Sequence, residues 1–65
     1  MTPDIQVENH GSLSLFRPMT DTGKMWLDEN TETEGWQWFG GALAVEPRYA
    51  QDLAQGAMSD GLEVQ

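Results

Sequence analysis

Aromatic side chains have to carry the core of this chain. It has 65 residues and no cysteine, so disulfide staples and cysteine-based zinc sites are excluded. A domain near this size buries only about 60% of the surface its unfolded chain exposes. The core must therefore come from a few large groups. Three Trp, two Phe and one Tyr supply them, and each can hide roughly 150–250 Å². A disordered chain of comparable acidity would be poor in aromatics. One small folded domain over residues 1–65 is expected.

Charge narrows the partners. Eleven Asp and Glu stand against three Lys and Arg, a formal net charge of −8. Such a surface stays soluble and repels polyanions. Direct nucleic-acid binding needs clustered cations to neutralise phosphates, and Arg17, Lys24 and Arg48 are scattered. The same argument disfavours anionic membrane surfaces. No apolar run approaches the roughly 20 residues of a membrane span. Met1-Thr2-Pro3-Asp4 lacks the basic and apolar regions of a signal peptide. A soluble, cytoplasmic protein is expected, and the lack of cysteine fits a reducing compartment.

Periodicity then divides the chain. Ile5 and Val7 alternate with Gln6 and Glu8, and Leu13 and Leu15 alternate with Ser12 and Ser14. With Asn9-His10-Gly11 as a turn signal, these segments predict a hairpin of 4–9 against 12–17 that ends at Pro18. Thr20 or Asp21 is a good N-cap for a short helix over 21–30. That helix buries either Trp26 with Met25, or Leu27 with Gly23. The stretch 28–35 lacks apolar periodicity and reads as the main loop, closed by Gly35. Trp36-Gln37-Trp38-Phe39 reads as extended, Gly40-Gly41 as a kink, a bulge or a close backbone approach. Ala42-Leu43-Ala44-Val45 is apolar on both faces, as in an interior strand. Glu46-Pro47 opens a second helix, in which Tyr49, Ala50, Leu53, Ala54, Ala57 and Met58 form an apolar stripe. Asp60-Gly61 ends it, and Leu62-Glu63-Val64 reads as a final strand. The expected fold is α+β, a two-layer sandwich of order β-β-α-β-α-β. Both helices lie on one face of a four-stranded sheet, and each can form a right-handed crossover between two strands.

Two features are candidates for function. Asp28, Glu29, Glu32 and Glu34 place four carboxylates within seven residues. They read either as a solvated connection or as a row standing in for phosphates, whose charge repeats about every 3.4 Å along one strand. A calcium loop is a third reading, because Asp28-x-Asn30-x-Glu32 has its opening spacing. Thr33 and Phe39 then occupy the positions that need Gly and Glu. The second feature is Trp36, Trp38 and Phe39, which read as core or, with Trp36 and Trp38 partly exposed, as a binding surface rimmed by carboxylates. Asp28, Glu29, Glu32, Glu34, Trp36 and Trp38 are thus the candidate partner-binding residues. His10 reads as a turn residue. No cysteine is present, and no second histidine supports a serine nucleophile. No catalytic residue, metal or cofactor is expected.

In order, His10-Gly11-Ser12, Trp26-Leu27-Asp28-Glu29, Trp38-Phe39-Gly40-Gly41-Ala42-Leu43-Ala44-Val45-Glu46, Arg48-Tyr49, Asp52-Leu53 and Asp60-Gly61-Leu62-x-Val64 resemble a pattern in small hypothetical proteins of proteobacteria, their phages and plasmids. The resemblance spans about residues 7–64 and implies a phage or mobile-element setting. It carries over no activity and no functional residue. Gly23-Lys24 departs from the pattern, where similar sequences are richer in Ala and Arg.

The expected function is therefore a non-catalytic acidic protein that engages a basic partner, with inhibition of a nucleic-acid-binding protein by charge mimicry as its concrete form. The alternative is an assembly module that dimerises through a sheet edge or a Trp face.

Overall fold

The computed structural model describes residues 2–31 and 37–65. The chain is α+β: one sheet of four antiparallel strands and two helices. Strand β1 (Ile5–Asn9) and strand β2 (Ser14–Pro18) form the expected hairpin. Helix α1 (Asp21–Asn30) follows, then β3 (Gln37–Phe39), β4 (Ala42–Val45) and helix α2 (Pro47–Ser59). The order is thus β-β-α-β-β-α rather than β-β-α-β-α-β. The correction lies at Gly40-Gly41. Both residues adopt positive φ, 53° and 83°, and they join Phe39 to Ala42 across a two-residue hairpin turn. Positive φ at both central positions is the geometry whose twist matches paired strands, and glycine adopts it without a Cβ clash.

Across the sheet the strands run β1-β2-β4-β3. Their alternation makes β2 parallel to β3 and β1 parallel to β4. The C-terminal tail, residues 62–65, runs beside β1 but does not form the strand expected over 62–64, because it makes only an isolated bridge. Val64 bridges Ile5 in parallel, with Gln65 N donating to Ile5 O at 3.0 Å and Val7 N to Gln65 O at 2.6 Å.

Register fixes which side is interior. Val7, Phe16, Leu43 and Trp38 share one row, and Asn9, Ser14 and Val45 another. This face meets the helices: Ile5, Phe16, Leu43 and Val45 form one cluster with Trp26 and Leu27 of α1, Leu53 and Ala57 of α2, and Leu62. In the hairpin, Ser14 and Phe16 turn inward while Leu13 and Leu15 sit on the other face. In α1 the buried set is Gly23, Trp26 and Leu27, and Met25 points to solvent. Among the described residues, fewer aromatics are buried than expected. Phe16 and Trp26 are buried, whereas Trp38, Phe39 and Tyr49 are exposed, and aliphatic side chains fill the remainder.

Local chemistry sets the helix ends. Thr20 caps α1, its Oγ1 accepting from Gly23 N at 3.1 Å. Pro47 opens α2. At its far end Leu62 N donates to Ala57 O and Gly61 N to Met58 O, both at 3.0 Å. With Gly61 at φ 91°, this is a Schellman closure, and it turns the chain so that Leu62 packs beside Ala57.

Asp4 joins the first, middle and last segments. Its Oδ1 accepts from Thr20 Oγ1 at 2.7 Å and its Oδ2 from Glu63 N at 2.9 Å. Its N donates to Glu63 O at 2.9 Å and its carbonyl accepts from Met19 N at 2.8 Å. The backbone N–H of Glu63, and then the Thr20 hydroxyl, hold the Asp4 carboxyl below its ordinary value. These bonds favour the charged form, so their stabilisation is complete above the ordinary value of 3.8 and is lost as pH falls through the lower folded-state value. The Asp4→Asn variant should show lower stability at neutral pH and a shallower loss on acidification. Urea melts at pH 7 and below pH 4 check this, and parallel acid limbs for both proteins would contradict it.

Gly23 gives Asp4 the room to do this. A Cβ at Gly23 would lie 2.1 Å from Asp4 O, so α1 touches the β1 entry through bare backbone. Gly costs about 1 kcal/mol against Ala in a helix interior, and overpacking costs roughly 1–3 kcal/mol. Gly23→Ala should therefore destabilise, by up to about 2 kcal/mol net, seen as a lower urea midpoint. A stabilised variant would refute the contact.

Candidate functional site

Helix α1 presents two different flanks built from the same last turns. Lys24 and Asp28 lie one turn apart, and Lys24 Nζ reaches Asp28 Oδ2 at 2.9 Å and Oδ1 at 3.2 Å. The same ammonium stands 4.7 Å from the centroid of the Trp38 ring. Trp38 is on the helix side of the edge strand β3 because it shares a row with Leu43, and it is 38% exposed. Asp28, Lys24 and Trp38 thus form one exposed chain of contacts. Such a cation–π pair contributes about 0.5–1 kcal/mol at an exposed site.

Glu29 is exposed one position on, and it lines a cleft with Thr22, Met25, Trp26 and Leu62. Asp28 and Glu29 are therefore helical, which corrects the reading of 28–35 as a loop. Glu32, Glu34 and Trp36 lie outside the described residues. Of the candidate set, Asp28 and Trp38 meet through Lys24, and Glu29 faces elsewhere. The calcium-loop spacing loses its first members to the helix. Asn30 Nδ2 donates to Trp26 O at 2.9 Å, and Thr31 Oγ1 donates to Leu27 O. These side chains satisfy the last carbonyls of α1. Among the described residues no group of three or more His, Cys, Asp or Glu is placed to hold a metal ion.

The three cations are all engaged. Arg17 Nε lies 3.4 Å from Glu8 Oε2, Lys24 is on Asp28, and Arg48 Nε is 3.0 Å from Glu46 Oε2. Glu8 also meets His10 Nε2 at 3.3 Å, and His10, then Arg17, hold its carboxyl below the ordinary value. Tyr49 does not pack beneath α2; it is exposed, with the Arg48 guanidinium 4.9 Å from its ring centroid. Asp21, Glu29, Asp52, Asp60 and Glu63 are exposed, and none of the three cations pairs with them.

Sequence reasoning missed Asp60. Its Oδ2 accepts from Trp26 Nε1 at 2.7 Å, tying α1 to the end of α2. The Trp26 ring lies over Gly56, where an added Cβ would meet it at an ordinary contact distance of 3.6 Å. The Asp60-Gly61 stop signal was visible, but nothing local in the sequence pairs residues 26 and 60.

No protein-family model, no curated protein and no solved structure matches this chain.

The acidic last turn of α1 opposes the helix dipole. No basic residue is in that turn, and a carboxylate at the negative end costs about 0.3–1 kcal/mol at low ionic strength. Lys24 preceding Asp28 is also the weaker orientation of an i,i+4 pair. Glu29→Lys should therefore stabilise the fold by about 0.3–1 kcal/mol in dilute buffer, with the gain fading in high salt. Thermal melts at two ionic strengths check this, and a destabilised variant would show that Glu29 supports the fold.

Proposed function

We propose that this chain is a non-catalytic acidic binding protein that engages a basic partner protein. The observation that carries the reading is the set of exposed carboxylates (Asp21, Glu29, Asp52, Asp60 and Glu63) left over once every Lys and Arg is paired with Glu8, Asp28 or Glu46. Uncompensated surface charge steers an oppositely charged partner and raises association rates by about 10–1,000-fold. The Asp28–Lys24–Trp38 surface supplies an aromatic contact beside it, and Trp is a frequent interface anchor. The acidic surface is suited to the groove of a nucleic-acid-binding protein, where carboxylates take the place of phosphates. The resemblance to phage and plasmid proteins gives such an inhibitor a natural setting in the host cytoplasm.

A homodimer is the second reading. It is favoured by β3, which lies at the sheet edge with Phe39 54% exposed. Self-association brings two −8 bodies together, which disfavours it. Sedimentation at rising concentration separates the two readings, since in a monomer β3 remains the edge strand of the sheet.

The decisive measurement is binding to a basic nucleic-acid-binding protein across a salt series, with duplex DNA as competitor. Affinity should fall steeply with salt, and DNA and this protein should exclude each other. An affinity indifferent to ionic strength would refute the proposal.

A further inference from the structure

The flank of α1 that carries Glu29 borders a cleft of about 250 Å³, lined by Thr22, Met25, Trp26, Glu29 and Leu62. Small-molecule pockets run to about 300–1,000 Å³, so this one suits a side chain better than a cofactor. Its apolar bed is Met25, Trp26 and Leu62, and Glu29 supplies the charge. Trp26 is held in place by the Asp60 carboxylate at 2.7 Å and by its seat on Gly56. Leu62 is fixed by the Schellman closure. The bed is therefore preformed, which lowers the ordering cost of binding.

We infer that this cleft anchors the basic partner by taking one lysine or arginine side chain. The methylenes lie on Met25, Trp26 and Leu62, and the cationic head meets Glu29. The inference rests on the acidic-binding reading above and gives it a location. Long cationic side chains are amphipathic, with an apolar stem and a charged tip, and this cleft offers apolar side chains and a carboxylate side by side. The chain's own cations do not fill it, since each pairs elsewhere. Lys24, the neighbour of Met25, is drawn toward Asp28 and the Trp38 ring. Phosphates and acidic peptides would meet only repulsion at Glu29.

The test uses the whole chain and a short, end-blocked arginine-glycine peptide in dilute buffer. The control is the same peptide with citrulline, which keeps the shape and removes the charge. NMR follows the Met25 methyl and the Trp26 indole N–H. Both signals should shift with the arginine peptide and stay still with citrulline. Glu29→Gln should weaken binding about threefold or more, the share of one exposed ion pair. Met25→Ser should weaken it too, and Met25 is 61% exposed, so that variant keeps its fold. Glu46→Gln removes one charge at the opposite end of α2 from Asp60 and should change little. Shifts centred on Trp38 and Lys24, with Met25 and Trp26 silent, would overturn the cleft while leaving the acidic-binding reading in place. The absence of any salt-sensitive binding by the arginine peptide would overturn both.

Discussion

Asp4 is the point at which this small chain closes on itself. Its two carboxylate oxygens, its N–H and its carbonyl are all engaged, with Thr20, Glu63 and Met19 as partners. Thr20 and Met19 belong to the connection into α1, and Glu63 belongs to the tail. One residue therefore fixes where α1 begins and where the tail docks beside β1. The contact with Glu63 spans 59 positions, so it closes nearly the whole chain, and in a protein without cysteine these hydrogen bonds share that task with the packing of Leu62 and Val64. Charge-assisted bonds are about twice as strong as neutral ones, which suits an ionised aspartate to the position. Gly23 completes the arrangement, since only bare backbone fits over the Asp4 carbonyl.

Trp26 makes the second closure, between the helices. Its indole spans from α1 to Asp60 and rests on Gly56. Asp60 thereby combines two jobs, ending α2 and receiving the Trp26 proton donor. A buried Trp needs a partner for its N–H, and the helix end offers a carboxylate at the right height. Together the two closures leave the sheet's helix-facing side covered near β1 and β2, while Trp38, at the edge strand, stays partly open.

Most elements were legible in the sequence because their signals are local. Thr20 and the residues after it give α1 over 21–30, and Pro47, the apolar stripe and Asp60-Gly61 give α2. The hairpin of β1 and β2 follows from alternation around a glycine turn. The Gly40-Gly41 turn was not separated from a kink, because apolar residues flank it on both sides and hide the reversal. The inward face of β2 was also obscured. Leu13 and Leu15 look like core, yet register with β4 places Ser14 and Phe16 inside. Within the candidate site, charge and aromatic content were legible, but geometry was not. The side of α1 on which Asp28 and Glu29 fall depends on Lys24 meeting Trp38 and on the tail returning beside Met25, and both are tertiary events.

The acidity itself divides by what each carboxylate does for the fold. Asp4 closes the chain, Asp21 suits the positive end of α1, and Asp60 holds Trp26. Glu8, Asp28 and Glu46 each take one of the three cations. Glu29 has no such role among the described residues, and it sits where the helix dipole resists it. A local rule broken with no return in stability points toward a functional constraint. Asp52 and Glu63 also have exposed side chains without a cation, but neither lies in the last turn of a helix. Among the described residues, Glu29 alone combines an unfavourable place in the helix with a position lining an apolar cleft. The excess charge therefore does not contribute evenly to the fold. At Glu29 it is set against the helix dipole and beside the apolar side chains of Met25, Trp26 and Leu62.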